Sequence, residues 1–128
     1  MGIVRWAHYS ARKYVNRKGF VLVLEEDVLI RELLERWLSE AGYAVSEAGD
    51  EGPRLVIADV PSPSRAQPLI QSLRAVYAAP ILVLSAHFRS GLAGSAEAAR
   101  RFGVKSVLPK PFSREELLSA VAASLEEE

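Results

Sequence analysis

The chain has 128 residues, of which 49% are hydrophobic and 25% charged, as expected for one globular domain with its own core. Cysteine is absent, which excludes disulfides, thiol nucleophiles and cysteine-based zinc sites. The formal net charge is zero, although residues 1–20 carry five basic residues and no acid. Apolar runs are only strand-sized and the N-terminus lacks the apolar core of a secretory signal, which predicts a cytoplasmic protein without membrane spans.

The first part of the chain begins with a predicted basic helix. Residues 3–18 have an apolar stripe at helical spacing and are followed by Gly19, a residue suited to a helix end. The stripe consists of Val4, Ala7, Ala11, Tyr14 and Val15. A strand is then predicted over 20–24, a helix over 27–41 and a weak edge strand over 43–47.

The rest of the chain continues to alternate between strands and helices. Three buried strands are predicted from short apolar runs at 54–58, 81–84 and 104–108. Three helices are predicted within 65–77, over 95–102 and from Ser113, where a capping-box pattern begins. This alternation predicts an α/β fold with a parallel sheet. Because the sequence ends soon after the last helix, we expect no second domain.

Polar residues follow four of the predicted strands, at the point where each strand ends. They are Glu25 and Glu26, then Asp59, then Ser85, and finally Lys110. The carboxyl ends of parallel strands form the ligand crevice of such sheets, so these side chains are expected at one edge. An acid there can be a nucleophile, other acids can hold a metal, and a lysine can neutralise phosphoryl charge.

In combination, these motifs resemble the receiver domains of two-component response regulators. The matching segments occur in the order of that family at 21–27, 55–59 with Pro63, 80–86 and 108–112. The resemblance implies a flavodoxin-like (CheY-like) three-layer fold with a five-stranded parallel sheet in the order 2-1-3-4-5. It divides the chain into an N-terminal basic helical extension, 1–19, and a receiver domain, 20–128.

The resemblance also implies a role for each strand-end residue. Asp59 would accept a phosphoryl group from a histidine kinase or phosphotransfer protein, Ser85 would bond that group, and Lys110 would pair with it. The ligands of a divalent cation, usually Mg²⁺, would be Glu25, Glu26, Asp59 and the carbonyl of Pro61. The chain would then be a stand-alone switch rather than an enzyme, acting on an unidentified downstream protein.

Three features favour an alternative, a degenerate receiver that acts as a phosphorylation-independent interaction module. Glu25 and Glu26 stand where receivers usually have Asp, and each extra methylene disturbs a cation that demands near-ideal geometry. Val107 stands where receivers usually have an aromatic residue. The third feature is a missing helix. Taken singly, the site residues also have simpler explanations, such as acids that favour a helix start.

The connection between the predicted second and third strands is too short for an ordinary receiver. A parallel crossover takes a dozen or more residues, whereas residues 48–53 offer six. We therefore predict that the second helix of the family is missing and that the second strand is short. The basic N-terminal helix, which ordinary receivers lack, is one means of covering the face left open. A partner subunit, which would make the chain a homodimer, is another.

The basic N-terminal segment also raises nucleic-acid binding through phosphate contacts. No recognition-helix signature is present. Residues 21–128, with 11 basic and 16 acidic residues, carry a net charge of −5. The sequence therefore does not favour a nucleic-acid partner.

Overall fold

The structure is a computed structural model, and it describes residues 20–46, 52–86 and 92–125. The predicted N-terminal helix over 3–18 lies outside these ranges. Within them, no helix combines the length and the apolar character needed to cross a membrane.

Five parallel strands form one sheet in the order β2-β1-β3-β4-β5. The strands are β1 Phe20–Leu24, β2 Ala44–Ser46, β3 Leu55–Asp59, β4 Ile81–Ser85 and β5 Ser106–Pro109. The α-helices of the described residues are α1 Val28–Glu40, α2 Ala66–Val76, α3 Leu92–Phe102 and α4 Arg114–Leu125. A short 3₁₀ turn, Pro63–Arg65, precedes α2. This arrangement confirms the predicted fold class and strand order.

Helices cover the sheet on both faces because strand residues alternate between two cores. One core joins Val23 and Ile57 to the α1 residue Leu34 and the α4 residue Leu117. The other core lies across the sheet and contains Leu22, Val56, Val83, the α2 residue Ile70 and the α3 residue Ala98. The strands are thus buried from both sides, and their carboxyl ends are fixed at one edge.

Local sequence signals set the helix ends beside that edge. The Asp27 carboxylate caps α1 by accepting bonds from the N–H groups of Leu29 at 2.9 Å and Ile30 at 3.1 Å. The predicted capping box of α4 is confirmed, since Ser113 Oγ accepts from the Glu116 N–H at 3.0 Å and Glu116 Oε1 accepts from the Ser113 N–H at 2.8 Å.

Two predicted boundaries differ from the structure. Helix α3 begins at Leu92 rather than residue 95, inside a stretch that the sequence suggested was a loop. Strand β5 begins at Ser106 rather than residue 104 because a turn takes up Val104. Gly103 has a positive φ of 71°, and the Val104 N–H donates to the Ala99 carbonyl at 2.9 Å, which closes α3.

The connection from β2 to β3 departs from an ordinary receiver as predicted. Strand β2 has three residues, paired with the first part of β1. The described part of the connection, residues 52–54, is not helical, and the described chain has no helix between these strands. On the α2 side of the sheet, the surface beside β1 therefore lacks the helix that a longer crossover would place there.

Candidate functional site

The strand register brings the predicted polar residues to one edge. Leu24 pairs with Ala58, so the next residues, Glu25 and Asp59, lie side by side. Lys110 follows directly after β5, and its N–H donates to the Ser85 carbonyl at the end of β4 at 2.9 Å. The predicted convergence of carboxylates and ammonium at the carboxyl edge is therefore present in the structure.

One ammonium group lies between two carboxylates at the centre of this edge. Lys110 Nζ is 2.7 Å from Asp59 Oδ1 and 3.1 Å from Glu25 Oε1. The side chains of Lys110 and Asp59 are 17% and 21% exposed, whereas that of Glu25 is only 3% exposed. The second Glu25 oxygen accepts from the Asp27 N–H at 3.2 Å. Glu25 is thus a buried carboxylate held by a cation and a main-chain donor.

The surroundings of Lys110 keep its ammonium protonated. Burial by itself lowers the pKa of Lys110, but hydrogen bonds to Asp59 and Glu25, together with their negative charges, outweigh burial. The net result is a pKa above the usual value for lysine. Lys110 therefore supplies a fixed positive charge next to Asp59 at neutral pH.

The other predicted site residues lie around this ion pair rather than within it. Glu26 and Pro61 are exposed, and both line the same cavity as Glu25 and Asp59. Ser85 is fully buried, and its carbonyl accepts the main-chain bond from Lys110. Three of the six predicted residues are thus in direct ionic contact, and three surround them.

The predicted cation ligands suit Mg²⁺ in kind, because carboxylate and carbonyl oxygens are the donors that it prefers. All four line one cavity. Within the described ranges, however, no three acidic or histidine side chains are grouped closely enough to hold a metal ion. Two of the four, Glu25 and Asp59, are instead in ionic contact with Lys110. The oxygen ligands for a cation are therefore present, but they are not already grouped around one position.

The cavity beside the ion pair has a volume of about 930 Å³ and extends from the carboxyl edge along the α2 side of the sheet. Its floor is apolar and includes Leu24 and Ala58, and its α2 wall includes Leu69 and Ser72. Acidic side chains are concentrated at the carboxyl edge. This cavity lies beside β1, where the described residues provide no helix between β2 and β3.

Two residues that the motifs do not single out also belong to the site. Arg31 Nη1 donates to the Glu25 carbonyl at 3.2 Å, and both Arg31 and Glu35 line the cavity. They follow the cap residue Asp27 at intervals of four, so all three lie on one face of α1. This spacing of four residues is visible in the sequence and indicates that Arg31 and Glu35 lie on the same side of α1 as Asp27.

In comparison with known proteins, the chain is similar to part of several transcriptional regulators. No protein-family model matches it. Its sequence is 40% identical over 116 residues to the transcriptional regulatory protein PdtaR of Mycobacterium tuberculosis, covering 79% of this chain and 54% of that protein. It is 33% identical over 126 residues to the DNA-binding transcriptional regulator NtrC of a Bradyrhizobium strain, covering 85% of this chain and 25% of NtrC. The chain thus spans about half of PdtaR and a quarter of NtrC.

Several solved structures with the same fold are response regulators. A receiver protein from Burkholderia phymatum is 25% identical with a TM-score of 0.66, covering 86% of this chain and 97% of that one. The chemotaxis response regulator CheY4 of Vibrio cholerae is 26% identical with a TM-score of 0.66, covering 84% and 98%. A Thermotoga maritima response regulator, at 22% identity, has a TM-score of 0.69, covers 85% and 98%, and supports the fold alone.

Proposed function

Since the chain contains a response regulator receiver domain, we propose that Asp59 accepts a phosphoryl group from the phosphohistidine of a histidine kinase or phosphotransfer protein. The ion pair of 2.7 Å between Asp59 and Lys110, at the carboxyl edge of the sheet, is the observation that carries this proposal. It combines a partly exposed carboxylate with a permanent positive charge. The proposed result is a change in binding to a downstream protein.

The transfer needs a nucleophile in position and a counter-charge for the phosphoryl oxygens. Lys110 holds Oδ1 of Asp59, and Oδ2 is the oxygen that we propose as nucleophile. Its attack forms the O–P bond of an acyl phosphate while the N–P bond of the phosphohistidine breaks. The electron pair of that bond remains on the imidazole nitrogen. Lys110 then neutralises an oxygen of the transferred group.

Mg²⁺ is the proposed cofactor, held by Glu25, Glu26, Asp59 and the Pro61 carbonyl, which line one cavity. When bound, the ion supplies further positive charge to the phosphoryl oxygens. Because Lys110 already contacts Glu25 and Asp59, a cation has to compete with it for these carboxylates. We therefore expect weaker Mg²⁺ binding than three free carboxylates would give.

The second candidate is a degenerate receiver that binds its partner without phosphorylation. One observation favours it, namely that Lys110 engages both Glu25 and Asp59 at once. Val107 adds to it, because this residue is a small side chain packed in the core, 5% exposed, where receivers usually carry an aromatic residue that changes position. Under either proposal, the names of PdtaR and NtrC suggest control of transcription as the output.

A labelling experiment separates the two candidates. The protein is incubated with acetyl phosphate and Mg²⁺ and run on a phosphate-affinity gel. Phosphorylation predicts a retarded band for the unchanged protein and for Glu97→Gln, an exposed control on α3. The band should disappear in Asp59→Asn and in excess EDTA. Absence of a retarded band under all conditions would support the degenerate receiver, and a band retained in Asp59→Asn would refute Asp59 as the acceptor.

A further inference from the structure

The cavity beside β1 has the features of a binding groove for a helix. Its floor contains Leu24 and Ala58, and Leu69 and Ser72 of α2 form one wall. Val76 continues the line of Leu69 and Ser72 at helical spacing, and it is 70% exposed. The face of α2 that carries Leu69 and Ser72 therefore ends on an exposed apolar residue, beside a sheet surface that no described helix covers.

We propose that residues 3–18 of the same chain occupy this groove as a helix antiparallel to β1, in place of the crossover helix missing between β2 and β3. The path of the chain supports this occupant. The segment enters the sheet at Phe20, the start of β1, and so reaches the amino edge. In a parallel α/β sheet, a helix that precedes a strand runs antiparallel to it, which is also the direction of the missing helix.

The length of the segment fits the strand beside the groove. Sixteen residues in an α-helix span about 24 Å, whereas the five residues of β1 rise about 17 Å. A helix that ends at residue 18 near the amino edge therefore brings its first turn to the carboxyl edge. Its stripe of Val4, Ala7, Ala11, Tyr14 and Val15 offers an apolar face of matching length.

The charges are complementary as well. The cavity is lined by four acidic side chains, Glu25, Glu26, Glu35 and Asp59, and by two basic ones, Arg31 and Arg65. Residues 1–20 carry five basic residues and no acid. An acidic groove with an apolar floor and a basic segment with an apolar stripe are therefore present in one chain.

Crosslinking in the full chain tests this proposal, because the protein has no cysteine of its own. Cysteine at Ala11 is combined with cysteine at Ser72, which lines the groove, or at Ser119, which is exposed on α4 across the sheet. With a short bismaleimide, Ala11→Cys/Ser72→Cys should crosslink within one chain in most molecules, and Ala11→Cys/Ser119→Cys in few. Equal yields would overturn the proposal. Crosslinks only between chains would also overturn it, in favour of a second copy.

A substitution pair adds a second measurement that does not depend on phosphorylation. Ala11→Glu places a charge on the apolar stripe, whereas Asn16→Glu places the same charge on the opposite face of the predicted helix. Ala11→Glu should lower the midpoint of thermal unfolding by several degrees relative to Asn16→Glu. Equal midpoints for the two variants would show that the stripe is not buried, against the proposal.

Discussion

Removing the ammonium of Lys110 should destabilise the fold even though the residue lies in a surface cleft. Lys110→Met keeps a side chain of similar length and removes the charge between Glu25 and Asp59. The Glu25 carboxylate, 3% exposed, would retain its bond from the Asp27 N–H but lose its cation. Asp59, 21% exposed, would regain part of its hydration. The cost therefore comes mainly from Glu25.

The magnitude follows from this difference in burial. Removing one partner of a fully buried ion pair costs about 3–5 kcal/mol, because the other charge stays buried without compensation. Here Lys110 and Asp59 are partly hydrated, and Glu25 keeps one donor. We therefore expect Lys110→Met to lower the free energy of unfolding by about 2–3 kcal/mol at pH 7, below the fully buried case. Adding Glu25→Gln should recover much of that loss, since no buried charge then remains on Glu25.

Urea denaturation of the four proteins of this double-mutant cycle, in EDTA, measures the effect directly. Lys105→Met is the matched control, because Lys105 is exposed and any ion pair that it makes is screened by water, so its replacement should cost no more than about 1 kcal/mol. The reasoning would be refuted if Lys110→Met were as stable as Lys105→Met. It would also be refuted if Glu25→Gln destabilised both backgrounds equally.

Three further outcomes are expected from stability measurements. Ser113→Ala removes the α4 cap and should cost about 1 kcal/mol, measured by urea unfolding; an unchanged midpoint would contradict this role. Leu34→Ala empties a fully buried position and should cost about 2–5 kcal/mol, far more than Leu33→Ala at a 39% exposed position. Because the folded state raises the pKa of Lys110, its ion pairs stabilise the fold fully below the unfolded pKa of about 10.4 and progressively less as pH rises through the folded value. The stability difference between the unchanged protein and Lys110→Met should therefore shrink above about pH 10, and a constant difference would argue against the pairs.

Most of the fold was predictable because its strands are short apolar runs that end on polar residues. The two displaced boundaries have identifiable reasons. Helix α3 starts at Leu92, within a glycine-containing stretch where propensity favours a loop, and its later residues Ala98 and Ala99 pack in the core. The apolar run at 104–108 contains Val104, whose N–H the helix-ending turn uses. The periodicity of apolar residues locates an apolar run in the sequence. It does not show which residues of that run form the backbone hydrogen bonds of the sheet.

The sequence predicted which residues lie close together in the site, but not which of them form ion pairs with one another. Glu25 continues the alternation of Val21 and Val23, so its side chain follows the same face of β1 and is buried, whereas Glu26 is exposed. The alternation that places Glu25 on the buried face and Glu26 on the other face is visible in the sequence. The double ion pair of Lys110 is not, because it depends on distances across strands that lie far apart in the chain.

The geometry of the sheet gives a physical reason for a glutamate at position 25. In the order β2-β1-β3-β4-β5, three strand spacings, about 14 Å, separate the end of β1 from the end of β5. Lys110 crosses β4 to reach Asp59, and Glu25 must extend from β1 toward the same ammonium. Glu25 Oε1 makes this contact at 3.1 Å through a side chain one methylene longer than that of aspartate. The glutamate that departs from the receiver pattern therefore adds a second carboxylate to the lysine. Under the proposed function, a phosphoryl group on Asp59 would have to compete with Glu25 for the charge of Lys110.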